Sequence, residues 1–463
     1  MGTNWHPDFQ KEKGAKYNVL VQSIRGAIRS RDLKQGEKLP PVREMAWSLG
    51  VTPGTVARAY KMATEEGLLE TTIGRGTFVS GTPVQVMDSE PPLSPPSIND
   101  GYGFRSCKVP NLGQDRAIRA AMMTISQREQ SNFVDCPDEF SDLHVREALV
   151  NWVDHGRHGR VSSDDFVLTL GAQNATLIAL KSILTGPSPV ILTEELAYPG
   201  VRLAARMLRA QLVGVKMDEE GIRPDNLEEM LRRHGGQALI TAAEVHSPTT
   251  IQTSPKRRQE ITEIARAYNL QIIEDDCHCI ARPNRVSYRA LAPERAWFAS
   301  SLTKSFSAAL RFGYLICPSQ NARAARLVAQ SSFYGLPSPM VDLWAELLNN
   351  GDIEKYRQMI EDSIEARVQM AVNILGQWEL RWRPDVPFIW LKMPRGWRGS
   401  SFAVACEGIG IRIKPADEFA LPDGAAPHAV RVALNECLSA KEREEALLKM
   451  RTLLENPPIY EGL

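Results

Sequence analysis

The sequence has 463 residues, 43% of them hydrophobic and 24% charged, an ordinary globular balance with ample material for a core. Its formal net charge is zero, so the chain as a whole carries no mark of a nucleic-acid coat. Residues 1–82 nevertheless hold 12 Lys and Arg against 8 Asp and Glu, and the remainder 43 against 47, a mildly basic head on an acidic body.

The head reads as helix, helix, helix, hairpin. Residues 16–31 place Val19, Leu20, Ile24, Ala27 and Ile28 on one helical face. A Gly-containing turn (32–38) follows, and Pro41 starts a second helix that closes on Gly50. Thr52 caps a third helix with Pro53 in its first turn and Gly67 at its end. Two β-type runs, LLETTI and TFVS, flank Gly74-Arg75-Gly76. Residues 83–98 hold five prolines and predict an extended linker, with neither helix nor central strand.

Beyond the linker, apolar β-type runs alternate with long helical stretches. The runs are FVLTL (166–170), PVILT (189–193), QLVGVKM (211–217), ALITAAEV (238–245), LQIIEDD (270–276), WFASSL (297–302) and FGYLIC (312–317). Near-continuous apolar strands separated by helices predict an α/β body with a largely parallel sheet covered on both faces. From about residue 320 the pattern is mostly helical. Strands near PFIWLKM (387–393) and AVRVAL (429–434) predict a smaller C-terminal subdomain.

Over residues 1–82 the segments LKQGEKLPPVREMAWSLGVTPGTVARAYKMATEEGLL and GRGTFV appear in order. With them the head resembles the GntR family of bacterial regulators, which carry a winged helix-turn-helix. The resemblance implies binding to double-stranded operator DNA. The third helix would enter the major groove and present Thr52, Thr55 and Arg58 to base edges. Arg43 can reach a phosphate or a guanine, and Arg75 and Gly76 form a cationic wing tip suited to a narrow minor groove. Many relatives carry Ser-Arg-x-Thr where this chain has Thr52-Pro53-Gly54-Thr55, so the operator does not carry over.

Residues 99–463 resemble fold-type-I aminotransferases, as fused to such a head in MocR-type regulators. The segment SSLTKSFSAALRFGYL (300–315) has the pattern of the lysine that bonds the aldehyde of pyridoxal 5'-phosphate. The resemblance assigns that role to Lys304, and a grip on the cofactor phosphate to Ser301 and Arg311. In LTLGAQNATLIAL (168–180) a strand gives way to a helix whose start offers the backbone N–H groups of Ala172 and Gln173 to the same phosphate. Tyr198 in EELAYPG matches the aromatic stacked on the cofactor ring. Asp275 in IIEDDCHC matches the partner of the pyridine nitrogen. Arg431 in HAVRVALN matches the arginine for the carboxylate of an amino-acid ligand. Any one of these segments alone would be read as structural, and the run Glu274-Asp275-Asp276 as a strand-end cap. Five segments in order, each matched to a different group of cofactor atoms, outweigh that.

The family usually carries Asn-Pro-x-Gly where this chain has Ser247-Pro248-Thr249-Thr250, and Tyr where it has Cys277. That Asn and Tyr both hydrogen-bond the cofactor's phenolic oxygen, so Ser247 and Cys277 are weaker partners at that place and little or no transaminase turnover is expected. His246 and His278 are candidates to compensate. No metal is expected at Cys277-His278-Cys279, because neighbouring side chains on a strand point to opposite faces.

The leading reading is a regulator that senses an amino-acid-like effector through an external aldimine, the effector displacing Lys304. Two alternatives stand beside it: an aminotransferase with an incidental head, and a regulator whose body only dimerises. The resemblance further implies a homodimer, head to tail. Seven cysteines at irregular spacing predict a reduced, cytoplasmic protein. No apolar run approaches the ~18 residues of a membrane span, and the start, MGTNWHPDFQKEKGAK, predicts no signal peptide.

Overall fold

The computed structural model describes Trp5 and residues 16–30, 32–65, 67–72, 76–80, 102–129, 133–283, 285–421, 424–434 and 438–458. The chain divides into two compact units, one within Met1–Pro92 and one within Leu93–Leu463. The predicted linker, Gly74 and the wing residue Arg75 lie outside the described residues.

In the first unit three helices pack around one core: α1 (Lys16–Ser30), α2 (Val42–Ser48) and α3 (Pro53–Glu65). Leu20 and Ile24 of α1, Met45 of α2, and Val56, Ala59 and Ala63 of α3 meet in it. Residues three, four or seven apart on a helix share a face, which is why the apolar spacing in α1 could be read directly. The strands β1 (Leu69–Thr72) and β2 (Gly76–Val79) form the antiparallel hairpin. Gly76 has φ of +116°, and a Cβ there would lie 2.7 Å from Lys38 Cε. Any larger residue would push Lys38 off the Phe78 ring, whose centroid is 5.8 Å from its ammonium.

The second unit is built on seven strands: β3 (Phe166–Thr169), β4 (Val190–Glu194), β5 (Gln211–Val215), β6 (Ala238–Thr241), β7 (Gln271–Asp275), β8 (Ala296–Ser301) and β9 (Gly313–Ile316). Their order across the sheet is β3-β9-β8-β7-β6-β4-β5. β9 alone runs against its neighbours, antiparallel to both β8 and β3. The alternation of the strands explains their apolar runs. Val167, Ile273, Trp297 and Ala299 enter one core, while Leu168 and Phe298 enter another and Leu239 and Ile272 a third. Both faces are therefore covered, as a parallel sheet requires.

The strand predicted over 238–245 stops at Thr241, because the next amide, Ala242 N–H, donates to the Glu194 carboxylate at 2.9 Å. A second correction concerns Cys277-His278-Cys279. The strand ends at Asp275 and these residues form the turn beyond it, so alternation along a strand does not govern where their side chains point.

The smaller sheet contains β10 (Phe388–Lys392) and β11 (Ala429–Ala433), paired antiparallel, with Lys414–Pro415 on the far side of β11. The 24-residue helix Asp352–Leu375 buries Ile360, Ile364, Val368 and Ala371 in the adjoining core. Tyr102–Gly103 pairs with Ile411–Arg412 in a two-stranded sheet of its own, so the first described residues of this unit are tied to the C-terminal subdomain.

Candidate functional site

Four of the large-sheet strands, β4, β6, β7 and β8, end at one cleft of about 740 Å³, the usual place for a ligand beyond the carboxyl ends of an α/β sheet. Every body residue that the resemblance set at the cofactor or its ligand lines it: Ala172, Gln173, Tyr198, Ser247, Asp275, Cys277, Ser301, Lys304, Arg311 and Arg431.

One wall is suited to an anion. Gly171 turns the chain from β3 into the helix Ala172–Ile183 with φ of +90°. A Cβ at Gly171 would lie 2.9 Å from the Arg311 guanidinium, and one at Gly313 would lie 2.6 Å from the Gly171 backbone. Two missing side chains thus let two backbone segments and the Arg311 side chain close up. The first-turn N–H groups of Ala172 and Gln173 have no intrahelical acceptor and stand at the positive end of the helix dipole. Arg311 holds φ of +53°, unfavourable for a residue with a side chain, and its Nη2 donates to the Leu170 carbonyl at 3.4 Å. The buried hydroxyls of Ser301 and Thr303 lie 2.8 Å apart. Thr303 drew no attention in the sequence, being masked by the lysine beside it.

The three consecutive acids past β7 go to three different places. Glu274 is fully buried and pairs with Arg258 at 3.1 Å. Asp276 pairs with the buried Arg157 at 3.0 Å. Asp275 alone faces the cleft. Its hydrogen bond comes from the Cys277 backbone N–H at 3.3 Å, and no basic side chain pairs with it among the described residues. Burial pushes its carboxyl up to about 6, since desolvation penalises the charged form. Lys304 extends into the same space and donates from Nζ to the Cys107 carbonyl at 2.8 Å. Tyr198 is half-buried, and burial raises its phenol to about 12.

Arg431, on β11, is buried. It donates to the Ser247 hydroxyl at 2.9 Å and to the Arg105 carbonyl at 2.8 Å. His246, a candidate to replace a missing hydrogen-bond partner, has both ring nitrogens engaged, by Thr249 Oγ1 at 2.6 Å and the Leu196 carbonyl at 2.8 Å. His278 lines the cleft with its Nδ1 unpartnered. Arg105 and Lys414 also line it, and the sequence carried no signal for either.

Residues 106–454 match the aminotransferase class I and II family model. The chain belongs to that family. Residues 16–79 of this aminotransferase-family chain match the bacterial regulatory proteins, gntR family. Along 98% of its length it is similar to the uncharacterized HTH-type transcriptional regulator YdeF of Bacillus subtilis, 25% identical over 477 residues that span 97% of that protein. It is 27% identical over 371 residues to the HTH-type pyridoxine biosynthesis transcriptional regulator PdxR of Corynebacterium glutamicum, covering 77% of this chain and 78% of that one. The crystal structure of an archaeal alanine:glyoxylate aminotransferase superposes with a TM-score of 0.69 at 24% identity, covering 77% of this chain and 91% of that chain. The body is thus a fold-type-I aminotransferase fold, and its cofactor is pyridoxal phosphate. The cleft fits such a group: it offers a primary amine, a desolvated carboxylate lacking a basic partner, and a helix N-terminus beside an arginine.

In the head, Arg43 and Thr52 are exposed. Thr52 caps α3, its Oγ1 lying 2.9 Å from Thr55 Oγ1 and accepting from the Thr55 N–H at 3.3 Å. The Arg58 guanidinium lies 4.1 Å from the centroid of the Tyr17 ring, which braces it against α1. No helix among the described residues is long and apolar enough to cross a membrane.

Proposed function

We propose that this DNA-binding regulator senses an amino-acid-like effector at the cofactor held in its body. The observation that carries the reading is the convergence of Lys304, Asp275, Arg311 and Arg431 on one cleft in a chain that also carries a winged helix-turn-helix. Lys304 would bond the cofactor aldehyde and Asp275 would pair with the pyridine nitrogen. Ala172, Gln173, Ser301 and Arg311 would hold the phosphate, Tyr198 would stack on the ring, and Arg431 would take the effector carboxylate. When bound, the cofactor supplies an electrophilic carbon at which one amine can replace another.

Lys304 has a resting place once displaced, the Cys107 carbonyl at 2.8 Å. A cation beside Asp275 offsets the desolvation that raises its carboxyl and holds it ionised. Ser247 already accepts from Arg431, and burial keeps the Cys277 thiol protonated. A short serine hydroxyl and a weakly donating thiol are poorer partners for the phenolic oxygen than Asn and Tyr, so amine exchange is expected to proceed and transamination to lag. In the head, α3 would lie in the major groove with Thr52, Thr55 and Arg58 at the bases, Arg43 on the backbone, and Arg75 and Gly76 at the minor groove. Two half-sites need two heads, so a head-to-tail homodimer belongs to this reading.

The test adds amino acids to the full-length, cofactor-loaded protein and follows absorbance, DNA affinity and the mass of the DNA-bound species together. A spectral shift should accompany a 5- to 150-fold change in DNA affinity, equivalent to ~1–3 kcal/mol of coupling, on a dimeric species. A shift with unchanged DNA affinity sinks the sensor reading, and rapid multiple turnover with an oxo acid favours an enzyme.

Arg43→Ala should weaken DNA binding and lower the slope of log K against log salt by about 1, the loss of one phosphate contact. An unchanged slope and affinity would remove Arg43 from the interface.

A further inference from the structure

Around Arg431 the cleft holds more positive charge than a single carboxylate needs. The pairing of Lys414–Pro415 with β11 sets Lys414 directly opposite Arg431. Residues opposite one another share a face of the sheet with Cβ atoms roughly 4.5–5.5 Å apart, and like charges there repel. Both side chains line the cleft.

Arg431 is 5% exposed. Its hydrogen bonds go to uncharged oxygens, its Nε is buried without a partner, and no carboxylate pairs with it among the described residues. The acid beside Lys414 is Glu418, at 3.7 Å. That carboxylate is already gripped through both oxygens by Arg105, each at 2.8 Å. One anion therefore stands among three cations and pairs with two of them, Arg105 and Lys414. The Phe419 ring closes the group, its centroid 4.9 Å from the Arg431 guanidinium and 5.8 Å from the Lys414 ammonium. Burial, and then the neighbouring charge of Arg431, pull Lys414 down to about 8, the direction of a cation short of a counter-ion.

Two positive charges in excess of the local acid call for two negative charges on the ligand. We propose that the effector is an amine bearing two anionic groups, a carboxylate held by Arg431 and a second anion, carboxylate or phosphoryl-type, held by Lys414. This rests on the sensor reading of the cleft and narrows it to a ligand class. A neutral side chain of the same size leaves Lys414 uncompensated in a desolvated site.

The experiment titrates the full-length, cofactor-loaded protein by calorimetry with L-glutamate, L-glutamine and 2-amino-4-phosphonobutanoate. The first two match in size and differ by one charge. At least one acidic ligand should bind about tenfold or more tightly than L-glutamine, the scale of a charge-assisted hydrogen bond. A preference for the phosphonate over glutamate assigns the second anion as phosphoryl-type, and the reverse assigns it as carboxylate. In Lys414→Gln the acidic-to-neutral ratio should fall to near one, and Lys414→Arg should restore most of it. The inference is overturned if wild type binds all three alike, or if Lys414→Gln weakens all three equally. Either result leaves the sensor reading standing. Absence of both heat and spectral change with every amine tested would remove that reading, and this inference with it.

Discussion

Lys304→Ala is expected to abolish every borohydride-reducible cofactor adduct, while wild type yields one adduct that maps to Lys304. The segment around it is built for the purpose. Lys304 follows β8 by three residues, and its ammonium reaches the cleft beside Asp275 and the anion cradle of Ala172 and Arg311. Schiff-base chemistry needs a primary amine that can reach the aldehyde, and no carboxylate ion-pairs with Lys304 among the described residues. The measurement has a built-in control, because Lys108 and Lys414 line the same cleft. If either were the bonding amine, reduction of Lys304→Ala would still fix the cofactor, and peptide mapping would find it there. A retained adduct at any lysine defeats the assignment. Non-covalent cofactor should persist in the variant, since the phosphate cradle and Asp275 are untouched.

The second large effect is on stability. Arg258, in the helix Pro255–Ala267, is fully buried between Glu244 at 2.8 Å and Glu274 at 3.1 Å, both fully buried too. Its remaining N–H groups go to the carbonyls of Thr253, Ala243 and Val286. All five guanidinium donors are therefore engaged. Glu274 also accepts from the Tyr288 N–H at 2.7 Å. Removing one partner of such a group strands the others as buried charge, which costs about 3–5 kcal/mol. Arg258→Met should lower body stability by that amount in denaturant unfolding followed through near-ultraviolet dichroism. Adding Glu274→Gln to the same variant should recover part of the loss, because one stranded charge disappears. A single variant within about 1 kcal/mol of wild type would show that the cluster is not the internal tie described. The cluster lies directly behind the cleft, since Glu274 precedes Asp275, so cofactor affinity should fall with it.

Much of the protein was legible before folding. Periodicity placed the head's three helices and hairpin and the seven large-sheet strands, because a helix or strand that buries one face must repeat its apolar residues at the period of its own backbone. The glycine turn before Ala172 was legible because a strand gives way there to a helix, and Lys304 with its small neighbours was legible through the resemblance to fold-type-I aminotransferases. Other features were beyond local pattern. The run Glu274-Asp275-Asp276 reads as three equivalent acids. Only the packing of Arg258 on one side and Arg157 on the other leaves Asp275 to the cleft. His246 looked available until Leu196, fifty residues away, proved to accept from its ring. Cys277-His278-Cys279 lay beyond the strand on which it had been read. The facing of Lys414 and Arg431 depends on strand register across an intervening loop, and the sharing of Glu418 depends on Arg105, 313 residues away in the chain. The sequence by itself determined which elements form and which residue types stand at the ends of the strands, because those follow from short-range sterics and apolar periodicity. Which charges find partners and which are left facing the cleft was decided only by the tertiary structure, because Coulombic pairing and desolvation act through space between segments that have no fixed spacing along the chain.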